Sequence, residues 1–486
     1  MKKSYGVVSI LLVVILLLFS QPPVNAQTTP QAKGTFLSVS DLHFNPYFDQ
    51  SLLDTLMKSD YTNWYNIFES SSIKTPNSYG SDANYPLVKS ALQNMQQQLA
   101  NPDFIIITGD FLRHRFRENY NSYFKNYPDS FHAFTSKTIR FLAWMLDKHF
   151  PQTVILPVLG NNDAFCGDYE IAPKDAFLTM FASAFAPLQR NNDAAMDSNF
   201  INQFSKGGYY TFSPKTAKTP KFIMLNTIFF SVNYEDTCAK QPVGDPGGEE
   251  LKWLADTLSQ ANAANQPVWM AYHIPPGVDV FATLKNVSCS VSSSSVMTMW
   301  NDSANKTFLD LVRKNAPVIR AGFAGHTHMD DFRVVYDGLQ QPVSFIHITP
   351  AVSPLFYNNP GFQRLTYDTV SWSLLNSETF YLNVGSATPA WAFEYDFKKT
   401  YNVKGINAAS LHQLRIGIRG TANFQTLCDS TNFNSLRASY VKYYNVSNVS
   451  ANTDVKYRWK AYWCGTGALT KEDFLKCCGG KLKLRK

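Results

Sequence analysis

After its first twenty residues the chain has no apolar run long enough to cross a bilayer. A later spanning helix is therefore excluded, and a soluble body without a transmembrane anchor is expected. The sequence also lacks a basic face. Its formal net charge is +7, but six of those charges sit on Lys2, Lys3, Lys481, Lys483, Arg485 and Lys486, leaving +1 for everything between. Nothing therefore advertises a nucleic-acid duplex as partner. The basic tail reads as a solvated end that could at most touch anionic lipid. No Cys-x-x-Cys pair of zinc type occurs, which argues against a structural zinc–cysteine site. No internal repeat is evident, and nothing calls for a partner chain, so a monomer is expected.

What is present begins with Met1-Lys2-Lys3, the apolar run 7–19 and Val24-Asn25-Ala26, the three-part layout of a secretory signal peptide cleaved after Ala26. The mature chain is then expected to be secreted, or held in a periplasmic, lysosomal or vacuolar lumen. Seven cysteines in an exported chain imply disulfides with one thiol left over. Five N-x-S/T sequons, at Asn286, Asn301, Asn305, Asn445 and Asn448, leave glycosylation open.

Apolar runs at 34–39, 104–108, 154–159, 222–226, 268–272, 319–324 and 342–348 read as strands. Helical patterns at 87–99, 135–148 and 249–261 separate some of them. This alternation predicts an α/β layered domain over residues 33–395. Shorter helical patterns follow over 396–486, in a cysteine-containing helical C-terminal subdomain.

Polar residues gather where five of those strands end: Ser40-Asp41-Leu42-His43, Gly109-Asp110, Gly160-Asn161-Asn162-Asp163, Tyr272-His273 and Gly325-His326-Thr327-His328. The carboxyl ends of strands in an α/β sheet form the binding crevice. Asp, His and Asn offer oxygen and nitrogen donors suited to zinc, iron or manganese. A single Asp-x-His is usually only a turn or a surface pair. Five such pieces, each behind an apolar strand, are hard to assign to turns alone.

In this pattern the chain resembles the calcineurin-like metallophosphoesterase superfamily, whose signature is D-x-H, G-D, G-N-[HN]-D, H and G-H-x-H. It is similar within that group to the acid sphingomyelinase-like phosphodiesterases, through Tyr272-His273-Ile274-Pro275-Pro276-Gly277, Asn359-Pro360-Gly361-Phe362 and the segment from Tyr85. The resemblance implies a sandwich of two mixed β-sheets flanked by helices. It also implies two divalent metal ions, Zn²⁺ foremost and Fe or Mn as alternatives. Asp41, His43 and His328 would hold one metal; Asn161, His273 and His326 the other; Asp110 would bridge both. Two metals roughly 3.5–4 Å apart can generate hydroxide and brace an in-line displacement. The resemblance further implies a Cys464–Cys477 disulfide and a Cys238–Cys289 pair.

Asn162 stands where many family members carry a histidine that protonates the leaving oxygen. An amide cannot serve as that acid, although its N–H groups could hold a phosphate oxygen. His114, four residues after Asp110, is the candidate proton donor. Asp163 is expected to orient its neighbours. The aromatics Phe44, Tyr47 and Phe165 are expected to pack rather than to bind.

The expected substrate is a small soluble phosphodiester or phosphoanhydride of nucleotide type, with a lipid headgroup less favoured. The catalytic pattern starts close behind the expected cleavage site, leaving no room for the saposin-like module of acid sphingomyelinase itself. Gly109-Asp110-Phe111-Leu112-Arg113-His114 with Gly-Asn-Asn-Asp also resembles endopolyphosphatases, a second reading. A metal- or phosphate-binding protein without turnover is the third. Purple acid phosphatases fit poorly, since Arg113 stands where they need a tyrosine ligand.

Overall fold

The computed structural model describes Met1 and residues 32–190, 194–213, 220–237, 239, 242–285, 287–422, 426–428, 433–448 and 451–479. The expected signal peptide beyond Met1, the basic tail and Cys238 lie outside the described residues.

Twelve strands form among the described residues: β1 (Lys33–Val39), β2 (Phe104–Ile107), β3 (Val154–Pro157), β4 (Tyr210–Phe212), β5 (Lys221–Met224), β6 (Val268–Ala271), β7 (Ile319–Ala324), β8 (Asp331–Tyr336), β9 (Pro342–Ile348), β10 (Gly361–Asp368), β11 (Leu374–Leu382) and β12 (Trp391–Asp396). They make two six-stranded sheets, ordered β12-β11-β10-β1-β2-β3 and β4-β5-β6-β7-β9-β8. In the first sheet β1, β2 and β3 run parallel, while β10, β11 and β12 pair antiparallel. In the second, β5, β6, β7 and β9 are parallel and the outer strands β4 and β8 are antiparallel. Both sheets are therefore mixed, as the resemblance implied.

The seven apolar runs are all strands, because central parallel strands are covered on both faces and read as unbroken hydrophobic stretches. Phe-Ile-Ile-Ile of β2 and Val-Trp-Met-Ala of β6 are buried throughout. The other five strands escaped that pattern. β11, Leu-Leu-Asn-Ser-Glu-Thr-Phe-Tyr-Leu, mixes buried with half-exposed positions, and β8 carries a buried Asp331–Arg333 ion pair. The expected helices run Tyr85–Gln98, Phe131–His149 and Pro246–Ala263.

Aromatic rings lock the two sheets face to face. Phe36 of β1 lies 5.3 Å from Trp269 of β6 and 5.7 Å from Phe323 of β7, and Phe104 of β2 lies 5.1 Å from Phe222 of β5. Such offset and edge-on pairs add to simple burial. They give the strand ends a rigid base. Phe44, Tyr47 and Phe165 are buried in the same core, in packing roles.

After β12 the chain is helical, at Phe397–Tyr401, Ala408–Arg419, Ser435–Tyr444, Asn452–Tyr457, Trp459–Gly465 and Lys471–Cys477. Val334 N of β8 donates to Thr466 O at 2.8 Å, which ties these helices to the second sheet. Cys464 and Cys477 are joined, as the resemblance implied. The Cys238–Cys289 expectation is corrected: Cys289 bonds to Cys428. Leu427 N donates to Cys289 O at 3.0 Å, setting the two chains side by side. That contact is made by tertiary folding across 139 residues of sequence. Cys166 is also disulfide-bonded, and Cys478 is a free, buried thiol whose pKa burial pushes up to about 12.

Candidate metal centre

The five polar stretches follow β1, β2, β3, β6 and β7, three neighbouring strands of one sheet and two of the other. Their loops are stitched together by backbone bonds: Asp41 N to Gly109 O (3.0 Å), His43 N to Asp110 O (2.9 Å) and Gly325 N to His273 O (2.9 Å). Turns of ordinary use place Gly or Asn in the left-handed region. Here Asp41 (φ 50°), His43 (40°), Asp110 (57°), His326 (70°) and His328 (64°) all occupy it. Each such residue costs about 1–3 kcal/mol, held only where the surroundings dictate it. Strain so concentrated on charged and imidazole side chains points to function.

The side chains converge on two adjoining points. Around the first, His43 Nε2 lies 3.1 Å from His328 Nε2 and 3.7 Å from Asp41 Oδ1, and His328 Nε2 lies 3.4 Å from that oxygen. Around the second, Asn161 Oδ1 stands 2.9 Å from both His273 Nε2 and His326 Nδ1. Asp110 Oδ2 lies 3.3 Å from His43 Nε2 and 3.3 Å from His273 Nε2, facing both groups. Donors held about 2.1 Å from a tetrahedral ion stand about 3.4 Å apart. The spacings match that value. Asp41 Oδ1 is moreover buried with no hydrogen-bond donor among the described residues, which suits an oxygen reserved for a cation.

Supporting contacts fix which atom of each candidate ligand faces the centre. His43 Nδ1 donates to Leu112 O (3.0 Å) and His273 Nδ1 to Thr108 O (2.6 Å), which turns both Nε2 atoms inward. Asn161 Nδ2 donates to Asp168 Oδ1 (2.6 Å), leaving its oxygen for the site. Asp41 Oδ2 accepts from Ser40 Oγ and His326 N. Asp163 accepts from Phe111 N (2.9 Å), Leu112 N (3.0 Å) and Gly160 N (2.9 Å), pinning the Asp110 loop to the Gly160 loop.

Burial works against charge here, yet the pairings outweigh it. Burial alone would raise Asp110, but the His273 and His43 charges draw it well below the usual carboxylate range. Asp41 is likewise drawn down against burial, chiefly by His328 and His43. Burial would depress His43 and His273, but Asp110 lifts them to about 10 and about 9. His326 and His328 are instead lowered to about 3, by burial foremost. A cluster that keeps two carboxylates ionised and draws cations to their partners favours positive charge at its centre.

His114 and Asn162 are placed differently. His114 stacks on the His43 ring, 4.0 Å between centroids, and its Nδ1 lies 3.0 Å from Asp82 Oδ1. Its ligand atom is also within 4.8 Å of those of His43 and His328. Asn162 is buried, and its Nδ2 donates to Asp110 Oδ2 at 3.0 Å while its backbone N donates to Asp110 Oδ1 at 2.8 Å. A cavity of about 670 Å³ opens over the centre, with Asp110, Asn161 and His328 in its floor.

A sequence model of the calcineurin-like phosphoesterases matches residues 34–330. The chain belongs to that family. A second model, the acid sphingomyelin phosphodiesterase C-terminal region, matches residues 341–478. Similar proteins include acid sphingomyelinase-like phosphodiesterase 3b of Mus musculus, 27% identical over 393 residues, 78% of this chain and 78% of that protein. Cyclic GMP-AMP phosphodiesterase SMPDL3A of Homo sapiens is 25% identical over 447 residues, 89% of this chain and 86% of the relative. Sphingomyelinase phosphodiesterase D of Dictyostelium discoideum is 27% identical over 431 residues, 83% and 87%. This calcineurin-like phosphoesterase is thus a metal-dependent phosphodiesterase of the acid sphingomyelinase-like kind, in a fold that implies two divalent cations. None of its described helices is long and apolar enough to cross a membrane.

Several partners were invisible in the sequence. Asp82 and Asp168 sit in polar loops that read as turns, and only the fold brings them to His114 and Asn161. Phe281 and Phe356 carried a weak signal at best. Both line the cavity with large exposed faces, 52% and 40% accessible, and an exposed aromatic close behind His273 could have been noticed.

Proposed function

We propose that this phosphoesterase hydrolyses small soluble phosphodiesters or phosphoanhydrides of nucleotide type. Asp41, His43 and His328 would hold one divalent ion, Asn161, His273 and His326 the other, and Asp110 both. Zinc suits these donors best; iron and manganese accept the same set. The observation that carries the reading is Asp110 Oδ2, equidistant at 3.3 Å from the imidazoles of the two groups. When bound, the two cations supply Lewis acidity at the phosphoryl oxygens and hydroxide from water.

The chain's own residues do the rest. Asp110 and the imidazoles hold their donor atoms in place beneath the cavity in which the reacting phosphate would sit. Asp163 holds the Asp110 and Gly160 loops in register. His114, its Nδ1 proton held toward Asp82, is the donor to the leaving oxygen. Phe281 and Phe356, with ring centroids 6.3 Å apart, offer faces for a base. The name of the relative SMPDL3A gives it a cyclic dinucleotide substrate, and a substrate of that class would use both the phosphate site and these rings. Export through a signal peptide over 1–26, a phosphoesterase domain over 33–395 and a helical subdomain over 396–486 complete the reading.

Polyphosphate is the second substrate considered, favoured by Asn162: its amide is engaged by Asp110 and no acid stands there, which suits a good leaving group. The test is product release from ATP, a dinucleotide diester, polyphosphate and micellar sphingomyelin, after chelation and again with zinc restored. Zinc-dependent turnover of ATP or the diester, lost in Asp110→Asn, is expected. A preference for polyphosphate would replace the nucleotide reading, and zinc bound without turnover of any substrate would refute catalysis.

A further inference from the structure

A second cavity, of about 500 Å³, lies between the outer strand β8 and the C-terminal helices. Its apolar floor includes Leu309, Val335 and Leu469, and its polar wall includes Arg415, His412 and Lys476. It shares no lining residue with the cavity over the metal centre.

Arg415 is the unusual member. It is only 9% accessible, yet among the described residues no carboxylate pairs with it. Nε donates to Thr466 Oγ1 at 2.7 Å and Nη1 to Tyr336 OH at 2.5 Å, both uncharged acceptors. The guanidinium carbon stands 4.7 Å from the centre of the Trp463 ring and 5.4 Å from that of Tyr336. Among the described residues Nη2 has no hydrogen bond, and a Cβ on the cavity-lining Gly467 would meet it at 2.6 Å. Buried cations are ordinarily paired. This one keeps a donor free beside an open space.

The neighbours extend the pattern. Tyr336 OH receives the Arg415 bond and gives its own proton to His412 Nδ1, 2.9 Å away. His412 Nε2 then carries the hydrogen of the neutral ring. Burial and the Arg415 charge both lower the His412 pKa, in keeping with that form. Lys476 adds an exposed ammonium. On the same wall Arg313 is already tied to Asp310 at 2.8 Å, and Asp473 is the only carboxylate of the lining.

We propose that this cavity is a second binding site for a phosphate monoester group, held by Arg415, His412 and Lys476 and separate from the metal centre. The free Nη2 of Arg415 beside two further N–H donors matches a phosphate's oxygens, and charge-assisted bonds of this kind are the strong ones. The volume and the apolar floor exceed what a bare phosphate fills, so the group would be carried on a small organic body or a lipid glycerol.

The test is calorimetric titration of the metal-loaded full chain with inorganic phosphate and with glycerol 3-phosphate, comparing wild type with His412→Ala/Lys476→Ala. Both changes lie outside the metal centre. The double variant should bind either probe at this site about tenfold or more weakly, with turnover and product inhibition unchanged. Arg415→Lys should fall between the two. Co-sedimentation with phosphatidylcholine vesicles, with and without phosphatidate, identifies the source. Variant-sensitive binding to phosphatidate makes the ligand a headgroup, and binding of the soluble probes alone makes it a free monoester. Identical isotherms for wild type and double variant would overturn the proposal.

Discussion

Gly109→Ala tests how tightly the metal centre is built. Gly109 has φ +95°, a value that side chains rarely adopt. A Cβ there would stand 2.6 Å from Gly160 N, 2.8 Å from Gly160 Cα and 2.9 Å from His273 Nδ1. Two of those atoms are backbone, and the third is held by its 2.6 Å bond to Thr108 O, so nothing can yield without moving the site. Backbone strain of about 1–3 kcal/mol and overpacking of about 1–3 kcal/mol together predict a loss of about 2–6 kcal/mol. For a large chain, at about 2 °C per kcal/mol, the melting temperature should fall about 4–12 °C. Displacing His273 from Thr108 should also weaken metal affinity about 10–100-fold. The assay is differential scanning calorimetry with metal analysis after dialysis. Gly338→Ala is the control, since a Cβ there meets nothing within 4 Å. A Gly109→Ala protein that melts like the control and retains its metal would refute the close-approach argument.

Other expectations follow from the same geometry. His114→Ala should slow esters with poor leaving groups about 10²–10⁴-fold while sparing p-nitrophenyl esters; equal losses on both would remove His114 as acid. Asp82→Asn should shift the same balance in the same direction, with metal content unchanged, and metal loss instead would make Asp82 a structural residue. His347 is buried on β9 with Nε2 2.7 Å from Gln363 Oε1, and burial lowers its pKa to about 4. Its folded value lies below the ordinary 6.5, so its contribution to stability is complete above about pH 6.5 and is lost as pH falls toward 4. Histidine-selective NMR should show that ring titrating near pH 4, and a midpoint near 6.5 would contradict its burial. Peptide mapping under non-reducing conditions should recover Cys289 linked to Cys428, whereas a Cys289–Cys238 peptide would reverse the corrected pairing.

The sequence by itself determined the central strands and the candidate donor residues at their ends. Runs such as Phe104–Ile107 must be covered on both faces, and that need is local enough to read. The donor residues were legible for a related reason, since metal-ligating types directly behind apolar runs have few other uses. Strands β10, β11 and β12 were not legible, because half-covered antiparallel strands alternate and tolerate polar residues. Only the tertiary structure decided what those donors face. Asp110 Oδ2 lies between His43 and His273 because two sheets, locked by Phe36, Phe104, Trp269 and Phe323, bring together loops more than two hundred residues apart in sequence. The Asp82–His114 contact, the Cys289–Cys428 bond and the uncompensated Arg415 have the same origin. The first two are pairings between separate elements and the third is a cation left without one, all fixed by how layers pack, and no local pattern of residue types encodes them.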